Sequence, residues 1–166
     1  MREIPMPTAN EVVNVVVAGL GGQGVITASD ILAEAAFDAG FDVKKSEIHG
    51  MSQRGGSVSS DVRFGKEVLS PMVPPGEADY LLVLAADQVE SNRHYLKEGG
   101  VLISPDAVDP SELENRRSMN VALLGALSAK LPNISEATWL DAVYANLPEK
   151  LHAANRQAFT LGRSKA

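Results

Sequence analysis

The stretch Val15 to Gly24, VVVAGLGGQG, places Gly19, Gly21 and Gly24 at the G-x-G-x-x-G spacing. Glycines so spaced let a backbone turn sharply, approach a pyrophosphate closely and pack the following helix on its strand, with the anion at the helix N-terminus. Gly22 adds backbone access, and the Gln23 amide offers a donor and an acceptor. The spacing alone is a weak signal. Two readings stand: a cradle for a dinucleotide or other anion, and a glycine turn used only for packing.

A dinucleotide site also needs an acid at the end of the second strand, about 20 residues on, to hold the ribose. Gly40 ends the first helix, which puts Asp42 at the start of the second strand. Glu47 lies nearer its end but well beyond the usual spacing. Neither acid fits well, and an NAD(P)-binding oxidoreductase or redox-sensing module is kept as the rival function.

A second polar cluster, SEIHGMSQRGGSV, runs from Ser46 to Val58 and holds Glu47, His49, Ser52, Gln53, Arg54, Gly55 and Gly56. Arg54, flanked by two glycines, can offer a guanidinium fork to a carboxylate or phosphate. The alternative is a solvated loop with a surface arginine. Such a loop between strands tends to lie at the ligand edge of an α/β sheet, which would bring both clusters to one place. His49 can in principle act as an acid or base, although a lone histidine between Ile48 and Gly50 is more often structural. Neither cluster offers an obvious nucleophile, and no catalytic residue is expected.

The elements that must position these residues read as α/β. Val12 to Ala18 is a β-branched run suited to a strand buried on both faces. Ile26, Ile31, Leu32, Ala35 and Ala36 follow helical spacing up to Gly40. Phe41 to Gly50 is extended. In SVSSDVRFGKEVLSP, Val58, Val62 and Phe64 alternate with Ser59, Asp61 and Arg63, and Gly65-Lys66 can supply a two-residue type II′ turn, which predicts an antiparallel hairpin. Pro71, Pro74, Pro75 and Gly76 make a rigid connector. Tyr80 to Ala85 and Val101 to Ser104 are further strands. Asp87 and Glu90 propose a capped helix running to about Lys97. The chain from Pro105 to Met119 is polar, with no structure assigned. Beyond it lie three helices: one with Val121, Leu124 and Leu127 in a stripe, one capped by Ser135, and one ending near Gly162. The expected fold is a three-layer, Rossmann-like, mostly parallel sheet with an antiparallel hairpin and a helical C-terminal tail, a single domain over residues 1–166.

Composition narrows the function classes. The 166 residues carry a net charge of −6 and no concentrated basic surface, which disfavours a nucleic-acid partner; Arg116-Arg117 is the only adjacent arginine pair. There is no cysteine, so disulfides, thiolate zinc sites and cysteine-ligated iron–sulfur clusters are excluded, and three scattered histidines suggest no metal site. No apolar run approaches the ~20 residues that span a bilayer, and a cytoplasmic location is the expectation.

Together, AGLGGQGVITASDILAEAA, SEIHGMSQRGGSVSSDVRFG, SPMVPPGEADYLLVL, NVALLGALS and ANRQAFTLG resemble the gamma subunit or domain of the 2-oxoacid:acceptor (ferredoxin) oxidoreductases. Within that family the likeness is greatest to the small beta subunits of the indolepyruvate type. It covers about Val12 to Gly162. The resemblance implies an accessory subunit of a complex that oxidatively decarboxylates a 2-oxoacid, passes electrons to ferredoxin and transfers the acyl group to coenzyme A. It implies that thiamine diphosphate, magnesium and iron–sulfur clusters belong to larger partner subunits and that this chain alone binds no cofactor. It also implies that Gly19, Gly21, Gly22, Gln23 and Gly24 face the active site. Glu47, His49 and the Ser52-Gln53-Arg54-Gly55-Gly56 loop would then face the partner and the acyl or coenzyme A channel. Such a subunit should expose an apolar interface, which an isolated chain could cover as a homodimer.

Overall fold

The computed structural model describes residues 11–49 and 56–166. Five strands form one sheet: β1 (Val12–Leu20), β2 (Asp42–His49), β3 (Ser57–Gly65), β4 (Ala78–Val83) and β5 (Leu96–Ile103). Their spatial order is β2-β3-β1-β4-β5. β3 pairs antiparallel with both β1 and β2, while β1 pairs parallel with β4 and β4 with β5. Four strands therefore run one way and β3 alone runs back. β1 is central, and Val15, Val16, Val17 and Ala18 are fully buried, which is what a β-branched run without alternation requires.

The sheet's two faces are covered differently. Val15, Val17, Val62, Phe64, Tyr80 and Leu82 meet α1 (Val25–Asp38), α3 (Met119–Ser128), α4 (Glu136–Asn146) and α5 (His152–Lys165) in one large core. α3 is buried all round, from Asn120 to Ser128, rather than along one stripe. It packs on α5 at unusually close range: a Cβ added to Gly162 would overlap the Ala122 carbonyl, and one added to Gly125 would overlap that of Phe159. Gly162 therefore lies inside α5, which continues to Lys165. Ser135 does cap α4, its Oγ accepting from Thr138 N–H at 3.1 Å.

The opposite face carries a thinner layer made by the connector 66–77 and short helical turns including α2 (Val89–Asn92). Sheet side chains strap the connector down. Asp42 Oδ2 accepts from Val68 N–H at 2.8 Å and Asp61 Oδ2 from Val73 N–H at 2.9 Å. Arg63 donates to Ser70 O at 2.7 Å and Asn14 to Glu77 O at 3.1 Å. Val68 and Val73 are buried beneath it.

Three local expectations differ from the structure. Gly65-Lys66 is not a hairpin turn: Gly65 lacks a positive φ, the antiparallel partner of β3 is β2, and the chain beyond Gly65 leaves the sheet to become the strapped connector. The helix proposed from Asp87 to Lys97 is a four-residue α2 between 3-10 turns, and β5 begins already at Leu96. Gly99 and Gly100 stop no helix. They lie within β5 where its register against β4 shifts between Ala78 and Tyr80, and Gly100 packs against Leu96 and the Ala78 carbonyl.

Candidate functional site

The C-terminal ends of β1, β2, β4 and β5 share one edge of the sheet with the start of β3. There the glycine turn meets the end of the second polar cluster: Gly21 N–H donates to Gly56 O at 2.8 Å. Ser57 Oγ adds a link to Gln88 Oε1 at 3.2 Å. The turn is closed from within by Gln23, whose Oε1 accepts from Leu20 N–H at 2.8 Å and whose N–H returns to Leu20 O at 3.2 Å. The acceptor half of this amide is thus committed to the turn rather than offered to a ligand.

Gly24 caps α1 in the left-handed region, φ +83°, and no side chain fits there, because an added Cβ would run into the amide of Asn120. Asn120 is buried in the first turn of α3. Its Nδ2 donates to Gly24 O at 3.2 Å while its Oδ1 accepts from Val121 N–H at 2.9 Å. One side chain therefore joins the N-terminal ends of α1 and α3. Gly22, φ +88°, has nothing within 4 Å of where its Cβ would stand. The turn presents bare backbone there.

A cavity of about 440 Å³ opens beside this backbone, lined by Gly22, Gln23, Gly24, Leu84, Arg116, Arg117, Met119 and Asn120. A second, about 290 Å³, lies against Leu20, Gly21, Gly22 and the first turn of α1. Sequence reasoning missed Arg116, Arg117 and Asn120, since all three sit in or beside the segment to which it assigned no structure. The signals were an adjacent arginine pair and a polar residue immediately before the apolar run Val121–Leu127.

Other expected site residues are placed as follows. Gly19 packs tightly, an added Cβ meeting Gln23 Oε1 at 2.9 Å and Leu84 Cβ at 3.2 Å, so its role is packing. Glu47 lies on β2 opposite Ser60 and pairs with Lys45 at 2.6 Å. Lys45 also binds Asp30 of α1. Burial alone would lower the Lys45 ammonium, but hydrogen bonds to Asp30 and Glu47 outweigh it and hold the group above its ordinary value. His49 closes β2 opposite Val58, and its side chain is outside the described residues, as are Ser52, Gln53, Arg54 and Gly55.

The ribose acid of a dinucleotide site finds no candidate. Asp42 sits at the far end of the sheet, opposite Gly65, where the Val68 N–H and Lys44 hold its carboxyl below the ordinary value. Glu47 is on the correct edge, but β3 separates β2 from β1, which moves it to roughly 10 Å from β1, two strand spacings away. Among the described residues no group of three or more His, Cys, Asp or Glu could hold a metal ion, and no helix is long and apolar enough to cross a membrane.

Fold and site together define an α/β domain whose glycine turn serves something other than an adenine ribose. The chain belongs to the pyruvate ferredoxin/flavodoxin oxidoreductase family, whose model matches residues 14–165. It is 35% identical to the indolepyruvate oxidoreductase subunit IorB of Thermococcus kodakarensis, over 90% of this chain and 93% of that one. The IorB subunit of Methanothermobacter thermautotrophicus is also 35% identical, over 90% and 95%. Among solved structures, the keto/oxoacid ferredoxin oxidoreductase gamma subunit of Geobacter sulfurreducens superposes with a TM-score of 0.78 at 29% identity, covering 93% of this chain and 98% of that one. The 2-oxoglutarate:ferredoxin oxidoreductase of Magnetococcus marinus, solved with 2-oxoglutarate, coenzyme A and succinyl-CoA bound, has a TM-score of 0.78 at 25% identity. This chain covers 31% of that larger one.

Proposed function

We propose that this chain is the small accessory subunit of a thiamine-diphosphate-dependent 2-oxoacid:ferredoxin oxidoreductase acting on indolepyruvate or another aryl or branched 2-oxoacid. The likeness to IorB subunits over nine-tenths of the chain carries this reading. In the reaction the 2-oxoacid loses its carboxylate as CO2, two electrons pass through iron–sulfur clusters to ferredoxin, and the acyl carbon forms a thioester with the sulfur of coenzyme A. A chain without cysteine has no ligands for those clusters, which places them in the larger subunit. The same subunit would hold thiamine diphosphate and its magnesium.

This chain's contribution is enclosure. The glycine turn and the loop that ends at Gly56 meet at one edge of the sheet, and that edge would close over the partner's active site and the coenzyme A channel. Residues 52–56 would lie at the interface. Exposed Leu69 and Met72 on the strapped connector, 87% and 56% accessible, offer apolar surface for docking. NAD(P) binding is disfavoured by the missing ribose acid.

Reconstitution tests this. The larger subunit is assayed for 2-oxoacid-dependent, coenzyme A-dependent viologen reduction with and without this chain, using indolepyruvate, a branched 2-oxoacid and pyruvate. Turnover that needs both chains, fastest with indolepyruvate, is the expected result. Full turnover by the larger subunit alone would refute a required role, and saturable NADH binding by this chain would favour the rival reading.

A further inference from the structure

We infer that Arg116 and Arg117 form the anion-binding wall of the larger cavity, and that its ligand is a phosphorylated small molecule held through a phosphate or diphosphate group. The chain is acidic overall, yet both charged residues lining this cavity are cations, and no Asp or Glu lines it. Their backbone is fixed before any ligand arrives. Asn115 Oδ1 accepts from Arg117 N–H at 3.0 Å, Ser118 Oγ donates to Asn115 O, and Asn120 ties the following helix to Gly24. Asp109 is close enough to feel the charge of Arg116, but neither guanidinium forms a hydrogen bond or ion pair with a described residue.

The ligand class follows from shape and charge. About 440 Å³ falls within the range of roughly 300–1,000 Å³ typical of small-molecule sites, and the wall is concave rather than flat. Opposite the arginines stands the Gly22–Gly24 backbone, open at Gly22, where an oxygen-rich group can come close without meeting a side chain. A single carboxylate satisfies one guanidinium fork. Two adjacent arginines match the greater charge and the several oxygens of a phosphate or diphosphate. An acidic segment of a partner protein is the competing occupant, and the concave, glycine-walled site favours the small ligand.

The inference rests on the subunit reading only for the choice of coenzyme A as one probe, and the anion site itself is measured on the full chain alone. Calorimetric titration with inorganic pyrophosphate should show saturable binding that weakens as salt is raised. R116A/R117A should weaken it about tenfold or more, since it removes charge-assisted contacts. R116K/R117K, which keeps charge but loses the forks, should fall between. Both side chains are exposed, so melting curves of the variants should match wild type. Coenzyme A and ADP separate the sources. Tighter binding of coenzyme A than of ADP assigns the phosphate to the acyl acceptor, and equal binding assigns it to adenine nucleotides generally.

Absence of saturable pyrophosphate binding by wild type, or unchanged binding by R116A/R117A, overturns the site. Should wild type bind no pyrophosphate while R116A/R117A fails to join the larger subunit, the pair is a protein contact and the inference is wrong. Turnover in the reconstituted complex is a separate readout, so either reading can fail without the other.

Discussion

The two faces of the sheet are held by different physics. On the helix face, apolar side chains and small residues interlock: Trp139 and Phe159 are fully buried with ring centroids 6.0 Å apart, and α3 and α5 touch backbone to backbone. On the other face, a proline-rich connector is hung from the polar side chains of β1, β2 and β3 by directional hydrogen bonds. Close packing resists any change of volume, whereas hydrogen bonds exchanged with water contribute little each and respond to pH. The candidate site draws on the first kind of order. Asn120, which sets the cavity wall, begins the most buried helix.

The sharpest way to break this contrast is at the α3–α5 crossing. Gly162→Ala puts a methyl group where the Ala122 carbonyl stands, and neither backbone can yield without moving its helix. We expect a loss of about 3 kcal/mol, at the upper end of overpacking effects, read from urea unfolding followed by circular dichroism. Because α3 also carries Asn120, pyrophosphate binding should weaken with it. A loss below about 0.5 kcal/mol would mean that the helices do not touch as described.

The strap should give less. Arg63→Ala removes the bonds from Nη1 to Ser70 O at 2.7 Å and from Nε to Asn14 Oδ1 at 2.8 Å. Both acceptors lie partly open to water, so we expect a loss of about 1–2 kcal/mol. It should appear as faster amide exchange confined to residues 66–77, with the helix face unaffected. Faster exchange spread equally over α3 and α5 would show the two faces to be one cooperative unit.

This contrast also explains what could be read in the sequence. β1, the glycine turn and α1 were legible because each rests on local rules: β-branched burial, glycine spacing and helical period. The connector was misread because Asp61 and Arg63 follow ordinary strand alternation, and nothing local says that polar side chains will bond a distant backbone instead of water. Half of the site was legible for the same reason. The glycines announce themselves by spacing, but Arg116, Arg117 and Asn120 reach them only through the packing of α3 on the sheet.

The smallest effect, and the one that separates the faces most cleanly, lies at Asp61. It is 2% exposed, and its Oδ1 has no hydrogen-bond partner among the described residues. Burial raises its carboxyl above the ordinary value, opposed by the Val73 N–H and by the charge of Arg63. A carboxyl raised on folding binds its proton more readily in the native state. Its stabilising contribution is therefore complete below the unfolded value, 3.8, and is lost as pH rises through the higher folded value. At neutral pH the ionised group is a net burden. Asp61→Asn keeps an oxygen for Val73 N–H and removes the charge, so the variant should be more stable than wild type at pH 7 by under about 1 kcal/mol. The gap should narrow as the solution is acidified and wild type gains its proton. Urea midpoints for both proteins at pH 7, 5.5 and 4.5 measure this, and a gap that widens with acid would mean that the Val73 and Arg63 contacts, not burial, govern Asp61.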